Sequence, residues 1–281
     1  GANPCSGTPL LGALAKSGRI YAGMIGSDPI QYSCQRNFTL LSTDGYWNSI
    51  TATYGPTKED GTPLVGDQDG SATVPSKDTL KKANTLADVA YYYYHTDLRP
   101  GTCSVCENNV PPAGTKEHED DVATHQHMTT FTIGLGVDGS LSYQDGYKTS
   151  TSGDYYSLKK DTLWWPDPTD TEDLDRIDDL WHAAVNGRGT YLSARNPETL
   201  IDGLNAALGS IAATSGSGAA AATSSLEPVE GDNAIYIASY RTVYWDGELG
   251  AHSIDLSNGE ISKTPIWKAS NKLDSLIASD G

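Results

Sequence analysis

The sequence has few basic residues and no long apolar run. The first shortage argues against nucleic-acid or membrane binding, and the second against a transmembrane protein. Lys and Arg number 19 against 36 Asp and Glu over 281 residues, which gives a formal net charge of −17. A surface this acidic repels nucleic-acid phosphates and anionic lipids, so we expect neither as a partner. Since no run of about 18 or more apolar residues occurs, we expect no transmembrane segment.

Phenylalanine is also scarce, and the first residues carry no export signal. Two Phe stand against 16 Tyr and 6 Trp, a balance that suits broad, half-exposed surfaces because tyrosine has a polar group on an apolar ring. The opening GANPCSGTPL lacks the basic and apolar regions of a signal peptide. Because the chain begins without methionine, we expect a mature or excised piece of an exported protein.

Motifs of the common enzyme classes are absent. The sequence contains no G-x-S-x-G, no H-E-x-x-H and no P-loop, so hydrolase and nucleotide hypotheses have no support. A metal-dependent enzyme stays open as an alternative, because His118, His125 and His127 lie in the acidic stretch HEDDVATHQH and imidazoles can bind zinc. We favour histidines that are solvated or satisfied by neighbours, and we expect no enzyme.

Four cysteines fall as a distant pair, Cys5 and Cys34, and a close pair, Cys103 and Cys106. An even count in such a chain favours an oxidising compartment. The close pair lies in a Pro/Gly/Asn-rich loop, LRPGTCSVCENNVPP, where we predict a local disulfide. Zinc would need two further ligands, and thioredoxin-like chemistry would need the motif to open a helix after a strand.

Helical and strand-like patterns alternate through the first 212 residues. Helices are predicted in TPLLGALAKSGRIYAG, with Gly18 as its stop, in TLADVAYYYYHTDL, in DLDRIDDLWHAAVNGRG, with Gly187 as its stop, and in NPETLIDGLNAALGSI. Strands are predicted in the run FTLL before STDG, in HMTTFTIGLGVDG and in TYLSA. The alternation predicts an α/β fold, a Rossmann-like parallel sheet with flanking helices.

Two segments interrupt this pattern. Residues 46–80 are polar and rich in Gly, Pro and Asp, which indicates a long surface insertion, and residues 99–115 form the cysteine loop. GDQDG within the insertion hints at calcium. Because it lacks the spacing and the bidentate Glu of an EF-hand, we interpret it as a solvated loop.

A change of composition marks a boundary after residue 212. Residues 213–225 are small and have the composition of a linker. Residues 226–281 are strand-like, in NAIYIASY, TVYWDGELGAHSIDL and TPIWKAS, with predicted turns at Asp246-Gly247 and Asn258-Gly259. So short a β region cannot easily form a complete core, and we interpret it as the opening of a larger domain.

Several long motifs point to one family. YSCQRNFTLLSTDGYWN, LADVAYYYYHTDLRP, HQHMTTFTIGLGVDG, DDLWHAAVNGRGTYLSARNPETL and YWDGELGAHSID resemble the PilY/PilC family of type IV pilus biogenesis and tip-adhesin proteins. The resemblance runs from Cys5 to about Ala269. It implies a partial von Willebrand factor A-like domain in residues 1–212 and the beginning of a β-propeller in residues 226–281.

The resemblance also implies a divalent-cation site. Von Willebrand A domains hold an ion at a metal-ion-dependent adhesion site made of a D-x-S-x-S segment, a threonine and an aspartate. Thr8 of GTPL resembles the threonine and Asp44 of STDG the aspartate. Since no D-x-S-x-S precedes Thr8, we expect Mg²⁺ or Ca²⁺ in the parent protein and weak or no binding by this chain alone. The alternative is that Asp44 serves only as a turn residue before Gly45.

The function implied by the resemblance is type IV pilus assembly with tip-associated adhesion. The implied location is the cell surface, at a pilus tip or the outer membrane. Minor pilins and a host or surface receptor are the implied partners. The alternative is a purely structural scaffold without its own ligand, in which a Cys5–Cys34 disulfide would tie the helix after Thr8 to the strand before Asp44.

Overall fold

A computed structural model describes residues 8–47, 55–170, 173–195, 198–201, 205, 217–223, 234–241, 246–255 and 261–279. The chain divides into two compact units, Gly1–Ala207 and Leu208–Gly281.

The first unit alternates helices and strands. In chain order its elements are α1 (Leu10–Tyr21), β1 (Phe38–Thr43), α2 (Leu86–His95), β2 (Thr129–Leu135), α3 (Asp154–Lys159), α4 (Asp175–Asn186) and β3 (Arg188–Ala194). All three predicted strands are present, and α3 is an addition that the sequence analysis did not predict. Of the predicted helix in residues 196–211, the structure describes 198–201 and 205, which are helical.

The three strands form a parallel sheet in the order β1-β2-β3. Leu41 of β1 lies opposite Thr132 of β2, which lies opposite Tyr191 of β3, and Thr132 donates a hydrogen bond to the carbonyl of Leu180 in α4. This face of the sheet therefore packs against the helices. The predicted fold class, a parallel sheet with flanking helices, is confirmed and is consistent with a partial von Willebrand A-like domain.

Helix α1 does not end at Gly18 as predicted, but continues to Tyr21. Gly18 lies within the helix and against the ring of Tyr93 from α2, where a Cβ atom would stand 2.3 Å from Cδ1. This glycine permits close packing of two helices. The predicted stop at Gly187 is confirmed, because Gly187 is the C-cap of α4.

Helix α2 begins with a capping box. The Thr85 hydroxyl accepts a hydrogen bond from Asp88 N at 3.1 Å, and the Asp88 carboxylate accepts one from Thr85 N at 2.9 Å. Asp179 of α4 accepts from the next two amides, Leu86 N at 2.9 Å and Ala87 N at 3.1 Å. Since these amides have no partner inside the helix, Asp179 completes the cap from a neighbouring helix.

Tyrosine and tryptophan fill the positions that phenylalanine often takes in a core. The rings of Tyr147 and Tyr155 pack on Trp181, with centroids 5.0 and 5.8 Å away. Their polar atoms find partners, since the Tyr147 hydroxyl accepts from Tyr191 N at 3.1 Å and Trp165 Nε1 donates to the carbonyl of Pro75 at 2.7 Å. The four-tyrosine run of α2 also contributes, with Tyr93 and Tyr94 buried.

The insertion is packed more tightly than the sequence suggested. Val65 is 2% exposed and Asp69 is fully buried, so the prediction of a solvated GDQDG loop was wrong for Asp69. The reason is non-local, because Asp69 lies against α4, where Asn186 Nδ2 donates to its Oδ2 at 2.6 Å. The Tyr93 hydroxyl also donates to the Thr57 carbonyl at 2.8 Å, which fixes the insertion to α2.

The second unit contains an antiparallel sheet in the order β4-β5-β6-β7, followed by a helix. Its elements are β4 (Ser217–Thr223), β5 (Ala234–Arg241), β6 (Asp246–Ser253), β7 (Trp267–Lys268) and α5 (Ala269–Ser279). The antiparallel strands predicted after the α/β region are confirmed.

Details of the second unit differ from the prediction. Strand β4 lies inside the predicted linker 213–225, because its small side chains pair in register with β5. Asp246 and Gly247 belong to strand β6, opposite Arg241 and Tyr240, rather than to a turn. The predicted turn at Asn258-Gly259 lies outside the described residues. The strand predicted in TPIWKAS is only two residues long and leads directly into α5.

Candidate functional site

The carboxylate of Asp44 lies just beyond the carboxyl end of β1. Strand β1 ends at Thr43, and the Asp44 side chain is exposed. The turn that follows is held by Thr43, whose hydroxyl donates to the Gly45 carbonyl at 2.9 Å and accepts from Gly45 N at 3.2 Å. The turn is thus closed by the neighbour of Asp44, and the Asp44 carboxylate faces solvent.

Thr8 lies two residues before α1 and is partly buried. At the other end of this helix, the Tyr21 hydroxyl donates to the carbonyl of Phe38, the first residue of β1, at 2.7 Å. A helix that precedes a strand in a parallel α/β unit runs antiparallel to it. The Tyr21–Phe38 contact is what this orientation predicts at the carboxyl end of α1, and the same orientation would bring Thr8 toward the edge where β1 ends.

Further charged groups occupy the same edge. Asp138 follows β2 and forms an exposed ion pair with Arg195, which follows β3, at 2.8 Å. Asp178 of α4 is buried beneath the loop after β2 and accepts hydrogen bonds from Ser140 N at 2.8 Å and Leu141 N at 3.1 Å. Burial raises the pKa of Asp178 to about 7, although these hydrogen bonds oppose the rise.

Two of the three histidines considered for zinc contact neighbouring protein groups, and the third is exposed. His127 is buried; its Nδ1 is 2.7 Å from the His125 carbonyl and its Nε2 is 3.0 Å from Asp121 Oδ1. His125 Nε2 lies 3.0 Å from the Tyr94 carbonyl, and His118 is exposed. Among the described residues, the three imidazoles do not converge on a common point.

Asp121 forms the centre of a buried ionic network that the sequence did not reveal. Arg36 Nη2 lies 2.7 Å from Asp121 Oδ2, and the Thr129 hydroxyl donates to the same oxygen at 3.0 Å. Burial alone would raise the pKa of Asp121, but the close contact with His127 and the ion pair with Arg36 hold it well below its usual range. The network joins the segment before β1 to the segment before β2.

The close cysteine pair forms the predicted disulfide. Cys103 and Cys106 are bonded in the loop between α2 and β2, with their Cα atoms 5.0 Å apart. Cys34 is exposed and has no disulfide partner within the part of the chain that the structure describes. Because Cys5 lies outside the described residues, its pairing with Cys34 stays a prediction.

Buried aspartates in α2, α4 and the insertion are the polar residues that the sequence analysis missed. Asp69, Asp88 and Asp179 are each at most 3% exposed. For Asp69 and Asp179 the signal in the sequence was the density of Asp in GDQDG and in the start of the helix at DLDRIDDL, and for Asp88 it was the spacing from Thr85. A charge run of this kind usually marks a solvated surface.

None of the described helices combines the length and apolar character needed to span a bilayer.

Three curated proteins are similar to this chain over nearly its whole length. They are the type IV pilus biogenesis factors PilY1 of Pseudomonas aeruginosa strains PAK, PAO1 and UCBPP-PA14, each 30% identical. The alignments cover 96%, 96% and 97% of this chain but 25% of each relative, so the chain spans about a quarter of their length. No family model and no solved structure matches the chain. The resemblance to the PilY/PilC family inferred from the motifs is confirmed.

Proposed function

This chain is PilY/PilC-like in sequence, and on that premise we propose that it is part of an exported type IV pilus biogenesis factor that acts in pilus assembly and tip-associated adhesion. The observation that carries the proposal is the similarity to PilY1 proteins across 96% of the chain. The acidic surface supports a protein that works away from nucleic acids and anionic lipids. Minor pilins at a pilus tip and a surface receptor are the proposed partners.

We propose further that adhesion uses a divalent cation at the carboxyl edge of the β1-β2-β3 sheet. Asp44 offers an exposed carboxylate directly after β1, and the Tyr21–Phe38 hydrogen bond supports a direction of α1 in which Thr8 would approach the same edge. Hydroxyl and carboxylate oxygens are the ligands that Mg²⁺ and Ca²⁺ prefer, and Mg²⁺ needs few protein ligands because it keeps several waters. The D-x-S-x-S segment of such a site would come from the parent protein.

We also propose that the first unit is part of a von Willebrand A-like domain and that the second unit is the beginning of a β-propeller. The order and direction of β1, β2 and β3 support the first. The four antiparallel strands β4 to β7 support the second, because a propeller blade is a four-stranded antiparallel sheet.

Calorimetric titration of Mg²⁺ and Mn²⁺ tests the cation site. The titrations use this chain and a version extended upstream to include a D-x-S-x-S segment, each with an Asp44→Ala variant. We expect the extended version to bind and the Asp44→Ala change to abolish binding. Because Asp44 is exposed and the turn is held by Thr43, the variant should fold as the wild type does, which circular dichroism checks.

A complementation assay separates adhesion from scaffolding. In a strain lacking the parent gene, full-length protein with Asp44→Ala should restore pilus assembly but not attachment. Restored assembly and restored attachment would favour a scaffold without its own ligand. Failure of the wild-type protein to restore assembly would contradict the biogenesis role itself.

A further inference from the structure

Three carboxylates converge in a place remote in sequence from Thr8 and Asp44. Asp67 and Asp69 belong to the insertion, and Asp88 lies in the first turn of α2. One oxygen from each lies within 4.8 Å of the others. Asp69 and Asp88 are fully buried, whereas Asp67 is exposed. We call these three residues the aspartate cluster.

The backbone of the insertion is fixed around the cluster. Gln68 N donates to Asp88 Oδ1 at 2.6 Å, and Gly70 N donates to Asp67 Oδ1 at 2.8 Å. Gly66 N donates to Asn84 Oδ1 at 2.9 Å, just before α2 begins. The carboxylates are therefore held together by ordered backbone contacts, which is the preorganisation that a binding site requires.

A buried oxygen of Asp69 has no partner among the described residues. Asp69 Oδ2 accepts from Asn186 Nδ2 at 2.6 Å, but Oδ1 is buried and makes no hydrogen bond. A carboxylate oxygen that is removed from water without a donor or a cation costs several kcal/mol. Asp69 is 0% exposed and lies beside two other carboxylates. A bound cation would interact favourably with this oxygen and with both neighbouring carboxylates.

The charges nearby do not neutralise the cluster. His182 Nε2 is 3.5 Å from Asp69 Oδ2 but also 2.8 Å from the Ser76 carbonyl, to which it donates its proton. The nitrogen of His182 that faces Asp69 is therefore already engaged by the Ser76 carbonyl. The carboxylates of Asp78 and Asp179 also lie close enough to Asp69 to repel it.

We propose that Asp67, Asp69 and Asp88 bind one calcium ion. All three donors are hard carboxylate oxygens, and each keeps a free lone pair beyond its present hydrogen bonds. Ca²⁺ tolerates irregular sets of six to eight oxygens, whereas Mg²⁺ retains several waters, for which a site with two buried ligands has little room. Exposed Asp67 supplies the entry path. The ion would join the insertion to α2, and through Asn186 to α4.

The proposal is independent of the cation site at Asp44, and its variants are chosen to keep the two apart. Asp69→Asn retains the shape and the acceptor for Asn186 while it removes the buried charge, so the calcium-free variant should be at least as stable as wild type. Asp67→Asn changes an exposed ligand without disturbing the core. Asp44→Ala and the exposed Glu117→Gln serve as matched controls for lost negative charge.

The experiment uses the purified chain after treatment with EDTA. Ca²⁺ is titrated calorimetrically, and thermal unfolding is followed with and without Ca²⁺ at about 100 times the measured Kd. We expect one ion per chain and an increase in Tm of about 5 to 10 °C. Affinity should fall at least tenfold in Asp67→Asn and Asp69→Asn and stay unchanged in Asp44→Ala and Glu117→Gln.

Three results would overturn the proposal. One is the absence of stoichiometric binding to wild type at millimolar Ca²⁺. Another is an Asp69→Asn variant that binds and is stabilised as wild type is, which would mean that Asp69 is simply protonated in the folded protein. The third is loss of binding in Asp44→Ala instead, which would place the ion at the carboxyl edge of the sheet.

Discussion

The ring of Tyr93 occupies the space above Gly18 in which any other residue would place its Cβ atom, 2.3 Å from Cδ1 and 2.4 Å from Cε1. The ring cannot easily move away, because Tyr93 is fully buried and its hydroxyl donates to the Thr57 carbonyl at 2.8 Å. This contact joins α1, α2 and the insertion.

Gly18→Ala should therefore destabilise the protein, although alanine is the better helix former. Overpacking lowers the free energy of unfolding by about 1 to 3 kcal/mol, whereas the higher helix propensity of alanine raises it by about 1 kcal/mol. Because the ring is fully buried and so close, we expect the upper part of the overpacking range, about 2 to 3 kcal/mol, and hence a net loss of about 1 to 2 kcal/mol in the free energy of unfolding, measured by urea denaturation. Gly45→Ala is the matched control, since a Cβ atom there meets open space. A Gly18→Ala variant as stable as wild type would show that the two helices are not in this contact.

The buried ion pair of Asp121 and the exposed one of Asp138 should respond very differently to the same substitution. Asp121→Asn leaves Arg36 buried without its counter-charge, and we expect a loss of about 3 kcal/mol. Asp138→Asn breaks a pair whose side chains are 57% and 66% exposed, so the loss should stay below about 0.5 kcal/mol. Denaturant unfolding at pH 7 measures both. Equal losses would contradict the network built around Asp121.

Asp178 should make the stability of the protein depend on pH. Its pKa is about 7 in the folded protein against an ordinary value of 3.8, chiefly because of burial and then because of the nearby carboxylates of Asp175 and Asp154. Between pH 3.8 and about pH 7, Asp178 is protonated in the folded protein and ionised in the unfolded chain. Rising pH therefore favours unfolding by up to about 1 kcal/mol per pH unit.

Comparison with Asp178→Asn isolates this effect, because asparagine can still accept hydrogen bonds from Ser140 N and Leu141 N but does not titrate. The difference in free energy of unfolding, wild type minus variant, should fall from pH 4 to pH 7 and then level off. Denaturant unfolding at unit intervals of pH gives the curve. A difference that is constant with pH would mean that the folded protein does not raise this pKa.

Local patterns were enough to predict the framework of the first unit. The apolar runs that became β1, β2 and β3 and the 3.6-residue periodicity of α2 and α4 describe each element by itself. The capping box of Thr85 and Asp88 has a recognisable local spacing as well, but the sequence analysis did not predict it. The family motifs then assigned Thr8 and Asp44 to one edge, and the topology is compatible with that placement.

What the sequence did not reveal depends on contacts between distant segments. Gly18 has the appearance of a helix stop until Tyr93 is placed against it. Asp69 has the appearance of a loop residue until Asn186, 117 positions later, donates to it. Likewise, β4 has linker composition, and only its pairing with β5 makes it a strand. No rule based on neighbouring residues predicts such partners.

The fixation of the insertion has a consequence for how the first unit opens. Arg19 of α1 donates to the Glu59 carbonyl at 3.3 Å, Tyr93 of α2 donates to the Thr57 carbonyl, and Gln68 N donates to the Asp88 carboxylate of α2. Residues 55–70 therefore cannot detach without breaking contacts of two helices. They belong to the same cooperative unit as the sheet, so their amides should exchange with solvent water as slowly as those of the core, despite a composition typical of a surface loop.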